Sequence, residues 1–227
     1  FNFSMKNLES MNMDFEEKIS KAVTDLRYLL NRGYRKKGAL KFVSDRYLLN
    51  IHERNYLARK VFSREAALSR QNKILDISRV KDENVFVDGY NVLITVESIC
   101  TGYPSLVRCD DGFLRDINAV FGKYKINDTT KTALTQIMLI LKYYNPRFVK
   151  FLYDSPVSQS GELSKITRNI LKASDVSGDA VTSKNVDSEL ISLSKDIGGI
   201  VATSDSAVID KIQRVIDIPC EILKKMR

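Results

Sequence analysis

Three aspartates in this chain each close a short apolar run: Asp88 follows Val85-Phe86-Val87, Asp154 follows Phe151-Leu152-Tyr153, and Asp205 lies just beyond Ile200-Val201-Ala202. A fourth, Asp187, opens an amphipathic stretch immediately before the Asp205 run. If the runs are strands of one parallel sheet, their carboxyl ends share an edge, and ligand crevices of open α/β sheets lie along that edge. Carboxylates crowded within a few Å repel one another, and without compensation at least one protonates. A hard divalent cation removes the conflict: Mg²⁺ and Mn²⁺ prefer oxygen ligands, and Mg²⁺ retains several waters. Such a centre suits phosphodiester hydrolysis, because it supplies a nucleophilic water and screens charge developing on phosphorus. Asn91, Ser204 and Ser206 flank the acids and could hydrogen-bond a water or the phosphate. Each acid alone also reads as an ordinary helix N-cap. The coincidence of three strand-end acids is what carries the functional interpretation.

Composition removes competing chemistries. The chain has one histidine, His52, so a histidine-rich metal site is excluded and carboxylates must carry any catalysis. Cys100, Cys109 and Cys220 are widely spaced and form no CxxC pair, which argues against a thiolate zinc site and for reduced thiols in a cytoplasmic protein. No apolar run approaches the roughly 20 residues that span a bilayer, so no membrane partner is expected. No stretch of secretory type is present. FNFS, before Met5, is set aside as an appended start. The oligomeric state is left open, a homodimer among the options.

The elements that would position the acids follow from periodicity. Val85–Val87 reads as a strand, then Val92–Cys100 as a helix. Ser105–Cys109 and Phe113–Ile117 flank Asp111-Gly112, a hairpin signal, which explains Asp110 and Asp111 by turn chemistry. Arg115 and Asp116 on the returning strand could reach a site. Helices are expected at Thr130–Tyr144, Ser160–Ala173, Val186–Lys195 and Ala207–Gln213. Strands are expected at Phe148–Tyr153, Ala180–Val181, Gly199–Thr203 and Val215–Ile218, with a terminal helix from Pro219. Alternation of strand and helix predicts a mainly parallel sheet covered on both faces. Glu97, within two turns of Asp88, is a further candidate acid.

The first third differs. Residues 1–79 carry 17 Lys and Arg against 9 Asp and Glu, whereas residues 80–227 carry 19 of each, so the whole net charge of +8 sits in the first part. A basic module beside a neutral, acid-bearing domain suggests polyanion binding joined to chemistry, against the plainer alternative of a solvated basic surface. Three helices are expected, Asp14–Asn31 with Asp14 as N-cap, Ala39–Tyr47, and Ile51–Leu68. Arg32, Arg35, Lys36, Lys37 and Lys41 cluster around the first connection, where they could neutralise phosphates while Tyr34 stacks on a base. Arg46, Arg54, Arg59, Lys60 and Arg64 follow at roughly helical spacing, and packing is the plainer role for each tyrosine. A boundary falls within Ser69–Asp82, where Ile74–Ser78 is an edge strand or a tether, dividing the chain into 1–79 and 80–227.

The segments VDGYN (87–91), KNVDSELISL (184–193) and ATSDSAVI (202–209) resemble the PIN-like nuclease superfamily, its NYN branch in particular. The resemblance covers about residues 84–218, and the spacing of the last two motifs is its more specific part. It implies an α/β, three-layer α/β/α sandwich and Mg²⁺- or Mn²⁺-dependent ribonuclease chemistry. By position, Asp88, Asp187 and Asp205 would bind metal and Asp154 would be the additional acid. The expected partner is RNA, held by the small basic helical domain in front. The DDG-containing hairpin departs from a minimal PIN-like pattern; it covers the site, narrows the substrate range or is structural. The whole chain also resembles a largely archaeal domain-of-unknown-function family that pairs a basic RGYxRKxAL…DRYxL module with DGYNVLIT and a DDGxxRD hairpin. Two alternatives stand beside the nuclease: an RNA-binding protein whose nuclease-like domain is inactive, and a phosphatase with a strand-end Asp nucleophile. The last needs a second acid two residues on, where this chain has Tyr90.

Overall fold

The computed structural model describes residues 2–102, 105–117 and 124–226, with side chains from residue 16 onward. The chain divides into two units, Phe1–Leu68 with Cys109–Asp111, and Ser69–Arg108 with Gly112–Arg227.

The first unit is helical: α1 (Asn2–Asn31), α2 (Lys36–Arg46), α3 (Ile51–Lys60) and the start of α4 (Arg64–Gln71). Its core joins Ala22, Leu26 and Leu30 of α1 to Ala39 and Val43 of α2 and Leu57 and Val61. Two expectations are corrected. The first helix does not begin at Asp14, which lies inside α1; its side chain is outside the described ones. The third helix is two, because Val61 and Phe62 leave the helical register. Val61 is extended (φ −97, ψ 126) and fully buried. The free donors at the break find partners: the Phe62 N–H donates to Asp110, the Arg64 N–H to the Asn31 side chain, and the Ala66 N–H to Ser63. β-Branched and aromatic residues have low helix propensity, and these bonds satisfy the groups the break exposes. Asp110 is therefore more than a turn residue. It takes a bidentate pair from Arg27 at 3.0 and 2.9 Å, and its own N–H donates to the Lys60 carbonyl.

The second unit is built on five parallel strands in the order β5-β4-β1-β6-β7: β1 (Asn84–Asp88), β4 (Phe148–Asp154), β5 (Gly178–Ser183), β6 (Ile200–Ala202) and β7 (Val215–Ile216). Period-two alternation sends successive side chains to opposite faces, and the two faces carry separate cores. Val85, Val87, Val149, Phe151, Tyr153, Ile200 and Ala202 face one core with α5 (Gly89–Cys100), α6 (Asp128–Tyr144), α7 (Ser160–Ala173) and α10 (Ile218–Lys225). Phe86, Leu152, Val201 and Val215 face the other, with α8 (Val186–Asp196) and α9 (Ser206–Ile209). This is an α/β fold with both sheet faces covered.

Most expected elements appear, with shifted ends. β5 is longer than Ala180–Val181 because it pairs with β4 from Gly178 to Ser183. The helix expected over Ala207–Gln213 stops at Ile209, where the Ile209 and Asp210 carbonyls accept from Lys73 and the Asp210 carboxylate pairs with Arg70. The final strand ends at Ile216 because Asp217 turns the chain and caps α10. Ile74 forms a parallel bridge to Val215, so the linker touches the sheet edge, and Ile77–Val80 is a 3₁₀ turn. β2 (Leu106–Arg108) and β3 (Leu114–Asp116) form the hairpin in the register Val107–Arg115. No helix among the described residues is long and apolar enough to cross a membrane. Cys100, Cys109 and Cys220 form no disulfide among the described residues.

Candidate functional site

The chain runs outward from β1 to β4 and β5, then returns to place β6 on the other side of β1. That reversal is a topological switch point, where such sheets bind ligands beyond their strand ends. β1 ends there on Asp88, 6 % exposed. Gly89 must follow it: a Cβ there would lie 2.4 Å from the Tyr153 ring and 2.7 Å from the Leu152 carbonyl, so only glycine lets α5 start this close to β4.

The four acids differ in how their helices use them. Asp88 precedes α5 yet makes no capping hydrogen bond, so the capping explanation fails for it. Among the described residues it accepts from the Thr203 hydroxyl, at 2.7 Å. Asp205 is a working cap and accepts from the Ala207 and Val208 N–H groups. Asp187 is the second residue of α8, where a negative charge favours the helix N-terminus. Asp154 closes β4, partly buried, two residues beyond Leu152, which is level with Asp88.

The acids feel one another. Burial pushes the Asp88 carboxyl up to about 7, and the charges of Asp205, Asp187 and Asp154 push in the same direction against the Thr203 hydrogen bond. Asp154 is raised by burial and by Asp187. Asp187 is raised by partial burial and by Asp205, with Lys211 opposing. Among the described residues the buried Tyr90 hydroxyl has no hydrogen-bond partner, and burial together with the Asp154 charge raises its pKa. Among the described residues no three His, Cys, Asp or Glu side chains close on one metal position. The donor set is nonetheless chemically suited to a hard cation: it is all carboxylate, mutually repelling and supplied with an orphaned hydroxyl. Mg²⁺ sites also need only one or two protein carboxylates, the rest being water and substrate.

The flanking residues are partly committed. The Asn91 side-chain carbonyl accepts from both the N–H and the hydroxyl of Ser204, each at 2.8 Å, tying the start of α5 to the loop before Asp205. Ser206 begins α9, half-buried. Arg115 reaches this loop from the hairpin, its Nε donating to the Ser204 carbonyl at 2.8 Å. Glu97, the further candidate, accepts from Tyr124 and from Thr130 (2.6 Å), and the charges that raise Asp88 are those of the other three acids. Thr203 was not anticipated. Its place directly beyond β6, beside the end of β1, was the available signal.

Residues 77–221 match the family described as "Domain of unknown function (DUF5616)", and residues 18–73 match "Protein of unknown function (DUF434)". The chain belongs to the DUF5616 family. It is also similar to an uncharacterised protein of Methanocaldococcus jannaschii, 37% identical over 211 residues, which are 92% of this chain and 98% of that protein. No solved structure matches. All four acids lie within the DUF5616 segment.

The DUF434 segment holds the basic candidates. Gly33 ends α1 with φ +82, the left-handed turn expected of it. Tyr34 follows, 62 % exposed. The Arg32 guanidinium lies 5.1 Å from the Tyr28 ring centre, and Lys36 Nζ lies 3.6 Å from that of Phe62. Lys41 pairs with Asp45, while Arg35 and Lys37 are exposed at the start of α2. Tyr47 is a packing residue and donates to Asp25.

Proposed function

We propose that this protein is a divalent-metal-dependent ribonuclease. The α/β unit, a PIN-like (NYN-branch) sandwich over residues 80–227, would hydrolyse RNA phosphodiester bonds in the cytoplasm, and the basic helical module over residues 1–79 would bind the RNA. One observation carries this: Asp88 is buried at the sheet's switch point, is not used as a cap, and is faced by three more carboxylates. Asp187 and Asp205 also serve the starts of their helices, but Asp88 caps nothing, and a cation there would relieve the repulsion that otherwise favours its protonation.

Asp88, Asp187 and Asp205 would hold Mg²⁺ or Mn²⁺, one or two of them directly and the rest through its water shell, since no three acids close on one position among the described residues. When bound, the cation supplies positive charge against the developing phosphorane and makes an attacking water more acidic. Asp154, whose pKa is raised, is suited to take a proton from that water at a carboxylate oxygen. Thr203 keeps Asp88 oriented through its hydroxyl, and the Asn91–Ser204 bonds and Arg115 hold the loop that carries Asp205. Pre-positioning of this kind is what a phosphoryl-transfer site requires of its protein.

The test is cleavage of a labelled RNA pool with Mn²⁺. Asp88→Asn and Asp205→Asn should abolish cleavage while RNA binding persists. Equal, metal-independent cleavage by parent and variants overturns the proposal. The mutual bonding of Asn91 and Ser204 and the open spacing of the acids favour one rival, an RNA-binding protein with an inactive nuclease-like domain. Thermal denaturation separates the two: Mn²⁺ should raise the Tm of the parent and not that of Asp187→Asn, since a ligand bound only by the native state stabilises it.

A further inference from the structure

The helical unit contains a concavity of about 530 Å³ beside the Gly33 turn. Leu30 and Leu68 give it apolar surface, and Asn31, Gly33, Arg64 and Glu65 give it a polar rim. Tyr34, next in sequence to Gly33, stands 62 % exposed. Around it the chain carries Arg32, Arg35 and Lys37, all exposed. Two further aromatic rings are exposed on the same helices, Tyr28 at 57 % and Phe42 at 63 %.

A surface that only tracks the phosphates of a duplex needs cations and gains nothing from solvent-exposed rings. Exposed rings interleaved with cations suit bases that are free of a duplex, because only an unpaired base offers its face for stacking. The concavity adds a place for such a base. Its apolar walls fit a planar ring, and Glu65 is an acceptor for the exocyclic amine of a nucleobase. Arg64 and Glu65 offset each other on the rim, so the concavity draws a phosphate less than the turn that carries Arg32, Arg35 and Lys37.

We infer that this face of the helical unit binds an unpaired segment of RNA, with one nucleobase in the Leu30–Leu68 concavity, Tyr34 stacked on a neighbouring base and the basic turn on the backbone. The inference rests on the proposal that this module binds RNA and narrows its substrate to single strands.

The experiment uses the full chain in EDTA, so that cleavage plays no part. Anisotropy is measured with a labelled oligocytidylate and with a blunt-ended RNA duplex at the same salt. The chain has no tryptophan and 10 tyrosines, so quenching of tyrosine emission gives a second readout of stacking. The single strand should bind more tightly. Tyr34→Ala and Leu68→Ser should each weaken it about tenfold and leave the duplex nearly unchanged, whereas Lys37→Gln should weaken both and reduce their salt dependence. Circular dichroism melts keep the variants interpretable, since Tyr34, Leu68 and Lys37 are exposed. Equal affinity for both RNAs with no effect of Tyr34→Ala overturns the single-strand inference and leaves RNA binding standing. No binding to either RNA, or self-association through this face in its place, overturns both.

Discussion

Asp88 and Asp217 are two acids of the same α/β unit, both pushed upward chiefly by burial, and they are treated in opposite ways. Asp217 accepts from the N–H groups of Leu114 (2.8 Å) and Cys220 (2.9 Å) and sits near Arg108 and Arg115. It ties the hairpin to the head of α10. Asp88 has a single hydroxyl donor and faces Asp154, Asp187 and Asp205. Elsewhere in the unit acids are matched in the same manner as Asp217: Asp210 with Arg70, Glu83 with Arg214, Glu189 with Lys150. These structural carboxylates are matched by cations or N–H groups, whereas Asp88 at the strand ends meets mainly other carboxylates. A buried acid raised by like charges in a cleft is a candidate for function.

The contrast can be broken or sharpened by substitution. Asp88→Asn should lower Mn²⁺-dependent cleavage more than about 100-fold. It should also make the metal-free protein more stable, by about 2 kcal/mol in denaturant melts above pH 7, because it removes a buried charge. Asp217→Ala should do the reverse, costing about 3 kcal/mol of stability by leaving two N–H groups without acceptors, whatever the metal. If both variants destabilise alike, the distinction between a matched and an unmatched acid fails. Thr203→Val is nearly isosteric and deletes the hydroxyl that donates to Asp88 and accepts from the Asp205 N–H. It should reduce Mn²⁺ affinity about tenfold, measured by titration calorimetry, with a melt shifted by about 1 kcal/mol.

The last test is the pH dependence of the metal-free protein. The folded pKa of Asp88 lies above its unfolded value, so the native state holds a proton that the unfolded chain has lost. Stability should therefore fall as pH rises from about 4 to about 7 and level off beyond, with Asp154 and Asp187 contributing in the same direction. Saturating Mn²⁺ or the Asp88→Asn change should flatten that decline in urea midpoints. A metal-free profile that rises through this window would show that Asp88 is ionised and compensated in the native state.

Much of this was legible in the residues. The apolar runs before Asp88, Asp154 and Asp205 become β1, β4 and β6 because runs this short and this rich in Val, Ile and Phe belong in a buried parallel sheet. The Asp111-Gly112 hairpin was equally readable. The break at Val61 and Phe62 was not, since their apolar spacing continues a helical pattern and the acceptor that permits the break, Asp110, comes from a turn far along the chain. Glu97 looked like a neighbour of Asp88 by spacing, but α5 carries it to Tyr124 and Thr130.

Local chemistry by itself determined the strands, most of the helices, the acids at the strand ends and the concentration of positive charge in the first third. These depend on side-chain type and short-range period, which a single chain displays directly. Tertiary structure decided which acids were matched and which were left facing one another. It brought Thr203 to Asp88, Ser204 to Asn91 and Arg115 to the loop before Asp205, over 115, 113 and 89 residues of chain. Hydrogen bonds and charge repulsion act over a few Å of space, and only the strand order β4-β1-β6 sets those distances.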